Sequence, residues 1–260
     1  YGTVTGVQTC ALPIYISGDP RWSVPPGDYY GGGAYVQTNS YTRTGLDGTN
    51  TLTDWRIGNG LIEVFADAND GVLNTRMWDP SGAWGTAVGF QIKYATTTAI
   101  PAWDYVTIVR NSPEVCTLLI VRDANEAPPT DHTHNLHITV RRGAPFAYCY
   151  FTWTGGATTW AVDREVVDAA TAITPTGATQ PMALEDAAND GDGNRWILGS
   201  SKTTTKDTTN GGIDFASTKT FDFLLGWEID GSTANANDDT GAVCLQYLGW
   251  SGEQATARRR

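Results

Sequence analysis

All three histidines of the chain fall in one stretch, DHTHNLHITVRRG, so residues 131–143 concentrate more chemistry-bearing side chains than any other segment. His132 and His134 form an H-x-H pair, and side chains two apart on an extended chain point to the same face. Two imidazoles so placed suit one transition-metal ion, with Asp131 as a third ligand or as a partner behind the ligands. His137 keeps different company. If Leu136, Ile138 and Val140 face a core, then His137, Thr139 and Arg141 share the opposite face. On the next candidate strand Tyr148 and Tyr150 share one face, Cys149 and Phe151 the other. A sheet face offering His137, Arg141 and Tyr150 would hold a uronic acid. The guanidinium takes the carboxylate, and His or Tyr accepts a proton in a lyase or epimerase reaction. The competing explanation for both sets is a polar loop entering a strand whose outer side meets water.

Carboxylates supply the next candidates. Asp163 and Glu165 in AVDREVVD share a strand face and superficially resemble the pair used in glycoside hydrolysis, which works across a cleft at roughly 5–9.5 Å. Neighbours on one exposed strand more simply face water. The loops DANDG (67–71), DAANDGDGN (186–194) and ANANDDTG (234–241) are acidic. In the second, Asp190, Asp192 and Asn194 alternate as calcium ligands do, yet no Gly follows Asn194 and no Glu closes the loop. GWSGE places Ser251 in G-x-S-G rather than the G-x-S-x-G of a nucleophile elbow, and neither a Walker A lysine motif nor a helix-opening G-x-G-x-x-G is present. With no complete catalytic set, the expectation is a protein that is not an enzyme, with a transition metal or calcium as the only cofactors suggested.

The chain has ten Trp and eleven Tyr. Trp55, Trp78, Trp84, Trp103, Trp153, Trp160, Trp196, Trp227 and Trp250 punctuate strand ends, where an indole closes the edge of a core while its N–H finds a partner. One or two on an open face would instead make a stacking platform for sugar rings. Trp84, in the Gly-rich PSGAWGT turn, is expected to be the exposed one, and Trp84, Tyr148, Tyr150 and Arg141 are the carbohydrate-binding candidates.

The elements that must position these residues read as strands. LIEVFADANDGVLNTRMW is a hairpin signal, with apolar-rich runs at 61–65 and 72–78 either side of Asn69-Asp70-Gly71. VGFQIKY, DYVTIVR, EVCTLLIVR, NLHITVRR, PFAYCYFTW, AVDREVV, RWILGS, GIDFAS, TFDFLLGWEI and AVCLQYLGW follow, each short and bounded by Gly, Pro, Asn or Asp. No segment sustains a helical period, and residues 181–188 would manage two turns at most. The spacing predicts an all-β fold, a large antiparallel β-sandwich with very little helix. Residues 54–260 are expected to form this domain. Residues 15–53, rich in Gly, Pro, Tyr and Thr, read as the remnant of a preceding β module plus a linker.

Charge and cysteine usage narrow the function classes. A net charge of −11 disfavours nucleic acid and anionic membrane as partners. No apolar run approaches the roughly 18 residues of a membrane-spanning helix. Cys116, Cys149 and Cys244 lack a metal-site or disulfide-framework spacing and read as single buried thiols on strands. The fourth cysteine, Cys10, sits in VTGVQTCALPI. Those eleven residues, 4–14, back-translate in one continuous frame to a sequence resembling a widely used short-read sequencing adapter. Residues 1–14 are therefore set aside as an artefact expected to pack poorly, and the chain is expected to be the C-terminal part of something longer.

The strand phrases, in order, are WRIGNGLIEV, MWDP, TIVRNSPEVCTLLIV, LHITVRRGAPF, FDFLLGWEI and QYLGWSGEQATARRR. Over residues 55–260 they resemble minor tail and tail-tip structural proteins of bacteriophages that carry large β-sandwich modules. The LHITVRRG phrase is also similar to the supersandwich of galactose-mutarotase-like proteins and polysaccharide lyases. The tail-protein resemblance implies a virion component that assembles as a homo-oligomer with other tail proteins and contacts host-surface glycan. In tail-fibre tips, H-x-H pairs similar to His132 and His134 enclose iron between three chains. The alternatives are a lyase or epimerase using His137, Arg141 and Tyr150, and a secreted bacterial carbohydrate-binding module.

Overall fold

A computed structural model describes residues 33–45, 48–66, 71–79, 83–100, 103–122, 132–166, 170–173, 182–186, 195–200 and 204–228. These residues form two antiparallel sheets and no helix. The ten-stranded sheet runs β1 (Tyr35–Gly45), β2 (Gly48–Gly58), β3 (Ile62–Ala66), β4 (Leu73–Asp79), β6 (Val88–Tyr94), β12 (Thr158–Arg164), β17 (Gly212–Thr218) and β16 (Thr204–Asp207). Two short strands lie off this path: β5 (Ala83–Trp84) on β4, and β7 (Thr98–Ala99) on β6. The eight-stranded sheet runs β13 (Ala170–Ile173), β14 (Met182–Asp186), β15 (Arg195–Ser200), β18 (Thr220–Glu228), β11 (Phe146–Trp153), β10 (His134–Arg141), β9 (Val115–Arg122) and β8 (Tyr105–Ser112).

Alternation explains the layering. In β10, Leu136, Ile138 and Val140 are fully buried while Asn135, His137 and Thr139 are only half-buried, the period of two that a strand covered on one side produces. Ile62 and Val64 of β3 and Phe90 and Ile92 of β6 meet this layer from the other sheet, and Phe151, Trp160, Phe215, Phe221 and Phe223 fill the middle. The aromatic rings meet edge-on or tilted, as Phe151 and Trp160 do at 4.8 Å between centroids and 61°, the arrangement their quadrupoles favour. Cys116 and Cys149 are free and buried, as their strand positions suggest; burial pushes both thiols up. Cys244 lies outside the described residues.

The break expected between residues 53 and 54 falls inside one continuous strand. β2 runs through it, pairing with β1 along its whole length and with β3 from Trp55 to Gly58. Tyr35 and Ala34 are buried in the same body, and Ala34 N donates to Pro113 O at 2.8 Å. The Gly- and Thr-rich composition that suggested a linker belongs here to an edge hairpin. Residues 1–32, including the adapter-like stretch, lie outside the described residues.

Asn59 ties the two sheets together at the turn that carries Arg141. Its buried amide donates to Arg141 O and Ala144 O, both at 2.7 Å, while its Oδ1 accepts from Leu61 N and Ile62 N. The turn itself closes with Ala144 N donating to Arg141 O, and Gly143 takes a φ of 70°, a conformation cheap only without a side chain.

Candidate functional site

The outer face of the eight-stranded sheet holds the residues singled out as a sugar-contacting set. Register pairs His137 of β10 with Tyr150 of β11, and Tyr150 in turn with Asp222 of β18. The His137 and Tyr150 rings lie 6.4 Å apart between centroids and 39° from parallel. Tyr150 is 36% exposed, one of five large apolar or aromatic side chains so open among the described residues. One rung along, Thr139 faces Tyr148, and Thr117 and Thr139 share a hydrogen bond of 3.0 Å between hydroxyls. Arg141 has the same parity as His137 and is exposed, but it stands four residues on, about 13 Å along the strand. The structure therefore brings His137, Tyr150 and Tyr148 together and leaves Arg141 at the rim beside the hairpin turn. Asp222, the third member of the row, was not singled out from the sequence. TFDFLLGWE alternates clearly enough to put it outside, but only the β11–β18 register puts it beside Tyr150.

The H-x-H pair shares a face as read, but that face is the core. His134 is fully buried, stacked on Trp153 at 5.8 Å and 25° and edge-on to Trp160 at 5.8 Å. Neither ring nitrogen has a hydrogen-bond partner among the described residues. Register places the buried Arg122 directly across on β9. Burial, then the Arg122 charge, then His132 push the His134 pKa down to about 3. An imidazole beside a buried guanidinium is a poor place for a further cation. His132 is half-buried, with its ring edge-on to Trp153 at 4.8 Å. No three His, Cys, Asp or Glu side chains group as metal ligands among the described residues. Asp131 and the loop with Asp190, Asp192 and Asn194 lie outside them.

The outer face of the ten-stranded sheet is charged, with two of its carboxylates held in ion pairs. Asp163 and Glu165 share it, but Asp163 is buried against Lys93 at 2.8 Å while Glu165 is exposed. Asp163 leans over Gly212, where a Cβ would collide with its Oδ1. Burial raises the Asp163 pKa, which the Lys93 hydrogen bond opposes. Burial raises that of Asp214 too, reinforced by the charges of Asp163 and Asp207. Farther along, Glu63 is buried with Arg76 Nε at 2.8 Å, Arg76 Nη2 at 2.6 Å and Tyr35 Oη at 3.0 Å. Arg76 also lies 5.0 Å from the Phe65 ring centre and 4.9 Å from that of Trp84. Trp84 meets Trp78 edge-on at 5.2 Å. It is half-buried and carries a guanidinium on its ring, so it is not the open platform its glycine-rich turn suggested.

The fold and this open row define a two-sheet antiparallel sandwich with one polar, aromatic outer face. No protein-family model matches the chain, and no curated protein sequence matches it. Among solved structures, it is similar to a protein in glycosyl hydrolase family 38 from Enterococcus faecalis. That match has 10% identity and a TM-score of 0.47, and covers 84% of this chain and 39% of that one. A glycoside hydrolase family 81 protein from Clostridium thermocellum matches at 14% identity and a TM-score of 0.36, over 75% of this chain and 22% of that one. A TPR-domain-containing protein from Parabacteroides distasonis matches at 7% and 0.36, over 75% and 54%. The chain thus spans from about a fifth to about half the length of these proteins.

Proposed function

We propose that this sandwich binds carbohydrate without catalysis, through the outer face of β9, β10, β11 and β18. The observation that carries the reading is the His137–Tyr150–Asp222 row, which sets an exposed aromatic ring between two polar side chains on a rigid sheet. A sugar ring stacks its C–H face on such a ring while its hydroxyls bond to the flanking groups. The setting we propose is a bacteriophage tail or tail tip, with the chain assembled as a homo-oligomer and the face turned to host-surface glycan. The strand phrases support that setting, and a secreted binding module would use the same face. The test is Tyr150→Ala in a glycan-binding measurement by calorimetry. Binding that falls at least roughly tenfold with unchanged thermal stability supports the reading, and unchanged binding overturns it.

One observation favours a second reading, a polysaccharide lyase or epimerase: His137 and Tyr150 are opposed on one face, as an acid/base pair requires. Such an enzyme also needs a cation for the uronate carboxylate, and Arg141 stands four residues along. Ultraviolet absorbance from the unsaturated product on polyuronates, lost in His137→Ala, would establish the lyase form of this reading. Its absence, with glycan binding intact, removes that form.

A further inference from the structure

The strands β8 to β11 contain no Asp or Glu, although the chain as a whole carries 28 acidic side chains and a net charge of −11. They hold Arg110, Arg122 and Arg141, of which Arg122 is buried and the other two are exposed. An irregularity in β8 decides where Arg110 points. Strict alternation from Ile108, which pairs with the buried Leu118, would set Val109 opposite Thr117 and turn Arg110 inward. The register instead slips by one residue, so that Arg110 pairs with Thr117 and Asn111 with the buried Cys116. The Cys116 thiol lies 3.5 Å from Asn111 Oδ1 on the inner side, and Arg110 therefore stands on the outer one. Bulges that re-aim a side chain in this way are over-represented beside active sites.

The registers of three strand pairs lay out the ground around it. Arg110 of β8, Thr117 of β9, Thr139 of β10 and Tyr148 of β11 form one row across the sheet, adjacent to the row that holds His137 and Tyr150. Arg141 stands two residues beyond Thr139, about 7 Å along β10, and the Asn59 amide fixes its carbonyl. Arg110 lies two strands from Thr139, about 10 Å across the sheet. Two arginines thus border the Thr117–Thr139 hydroxyl pair, whose oxygens are 3.0 Å apart. Glu114, at the β8–β9 turn, is held by Arg142 at 3.2 Å. Among the described residues no carboxylate forms an ion pair with Arg110 or Arg141.

We propose that the face takes an acidic glycan: one sugar stacks on Tyr150, while an oxyanion on the same glycan, a few sugar units away, is held between Arg110 and Arg141. This inference rests on the carbohydrate-binding reading of the face, which it extends by one strand to β8. A guanidinium presents paired N–H donors that match the two oxygens of a carboxylate or a sulfate. A glycan laid from Tyr150 to Arg110 passes over β10 and β9 beside Thr139 and Thr117, whose hydroxyls meet its own. The charged group belongs away from Tyr150, because about 13 Å of strand separates Arg141 from His137 and Asp222 adjoins Tyr150 on the far side. The stacked sugar and the charged one are therefore different units, where the sequence suggested a single uronic acid held by His137, Arg141 and Tyr150. Each exposed ion pair of this kind strengthens binding roughly threefold at low salt, and the two together about tenfold.

The experiment uses the whole chain and sets of oligosaccharides that differ only at C6: β-1,4-glucan, its 6-sulfate and β-1,4-glucuronan, with the corresponding mannan and galactan sets. Calorimetry at low salt should show at least one anionic form bound roughly tenfold more tightly than its neutral counterpart, with the gap narrowing as salt rises. Tighter binding of the sulfate or of the uronate supports the inference in either case and identifies the oxyanion taken. Arg110→Gln and Arg141→Gln should each lower the anionic affinity roughly threefold and leave the neutral one within about twofold, whereas Arg110→Lys, which keeps the charge, should retain part of the preference. A neutral glycan bound as tightly as both anionic forms overturns the inference while leaving the binding face intact. An anionic advantage that survives in the double variant Arg110→Gln with Arg141→Gln overturns the role of the two arginines. If no glycan binds, or if Tyr150→Ala binds as well as the unaltered chain, the reading of the face fails and this inference with it.

Discussion

The two outer faces of the sandwich treat polar side chains in opposite ways. On the ten-stranded sheet, Glu63 is enclosed by Arg76 and Tyr35, Asp163 by Lys93, and the Trp84 ring carries a guanidinium. On the eight-stranded sheet, Tyr150 is open, and His137 and Asp222 flank it at half burial. Charge alone is therefore a poor guide to a site: on the more heavily charged face, Glu63 and Asp163 are buried against cations of the same sheet. Stability should reside in the first face and recognition in the second.

The largest effect that would break this division comes from Arg76→Met. It removes the guanidinium whose Nε and Nη2 both reach Glu63 Oε2 and leaves the buried carboxylate with Tyr35 and the more distant Arg56, so about 3 kcal/mol of unfolding free energy should be lost in urea denaturation. A loss under about 1 kcal/mol would place Glu63 and Arg76 among ordinary surface pairs and erase the contrast. The double variant Glu63→Leu with Arg76→Met should recover most of the loss.

A smaller effect separates the inner and outer sides of β10. The folded-state pKa of His134, about 3, lies below the 6.5 of a free imidazole. Its stabilisation is therefore complete above about pH 6.5 and is lost as pH falls towards 3, by about 1.4 kcal/mol per unit. His134→Phe should flatten the acid limb of a stability–pH curve, whereas His137→Phe should leave that limb in place. Asp214 has the opposite sign. Its folded-state value is raised above 3.8, so its contribution favours the fold at low pH and is lost as pH rises through that value. Asp214→Asn should therefore raise the melting temperature at neutral pH and lose the advantage below the ordinary carboxylate range. The smallest stability effect belongs to Tyr150→Ala, within about 0.5 kcal/mol, although it should remove binding. A destabilisation of several kcal/mol would make Tyr150 a packing residue and close the gap between the faces.

Much of the architecture was legible because alternation is local. EVCTLLIVR and LHITVRRGAPF each announce which residues go in, and the strands they form obey that pattern. The same rule already put His134 inside, since it shares the parity of Leu136, Ile138 and Val140. Reading the H-x-H pair as ligands gave the spacing more weight than the parity. What alternation cannot supply is which strand lies beside which. The partnership of Lys93 with Asp163 spans 70 residues and that of Tyr35 with Glu63 spans 28, and both depend on sheet order. Asp222 beside Tyr150 is the same kind of fact. The boundary at residues 53 and 54 misled for another reason: an edge hairpin tolerates the Gly, Thr and Asn that elsewhere mark a linker.

The position of β18 also has a consequence for how the chain is made. It lies between β11 and β15, so it joins the strands β8 to β11 to the strands β13 to β15. Among the described residues, no strand of one group pairs with a strand of the other except through residues 220–228. During synthesis at roughly 5–20 residues per second, the earlier strands wait for seconds with an unfilled edge at Phe146–Thr152. Contacts this distant in sequence also slow the search for the native pairing. A nascent chain halted before residue 219 would lack the strand that pairs with the facing edges of β11 and β15, leaving both open to mispairing.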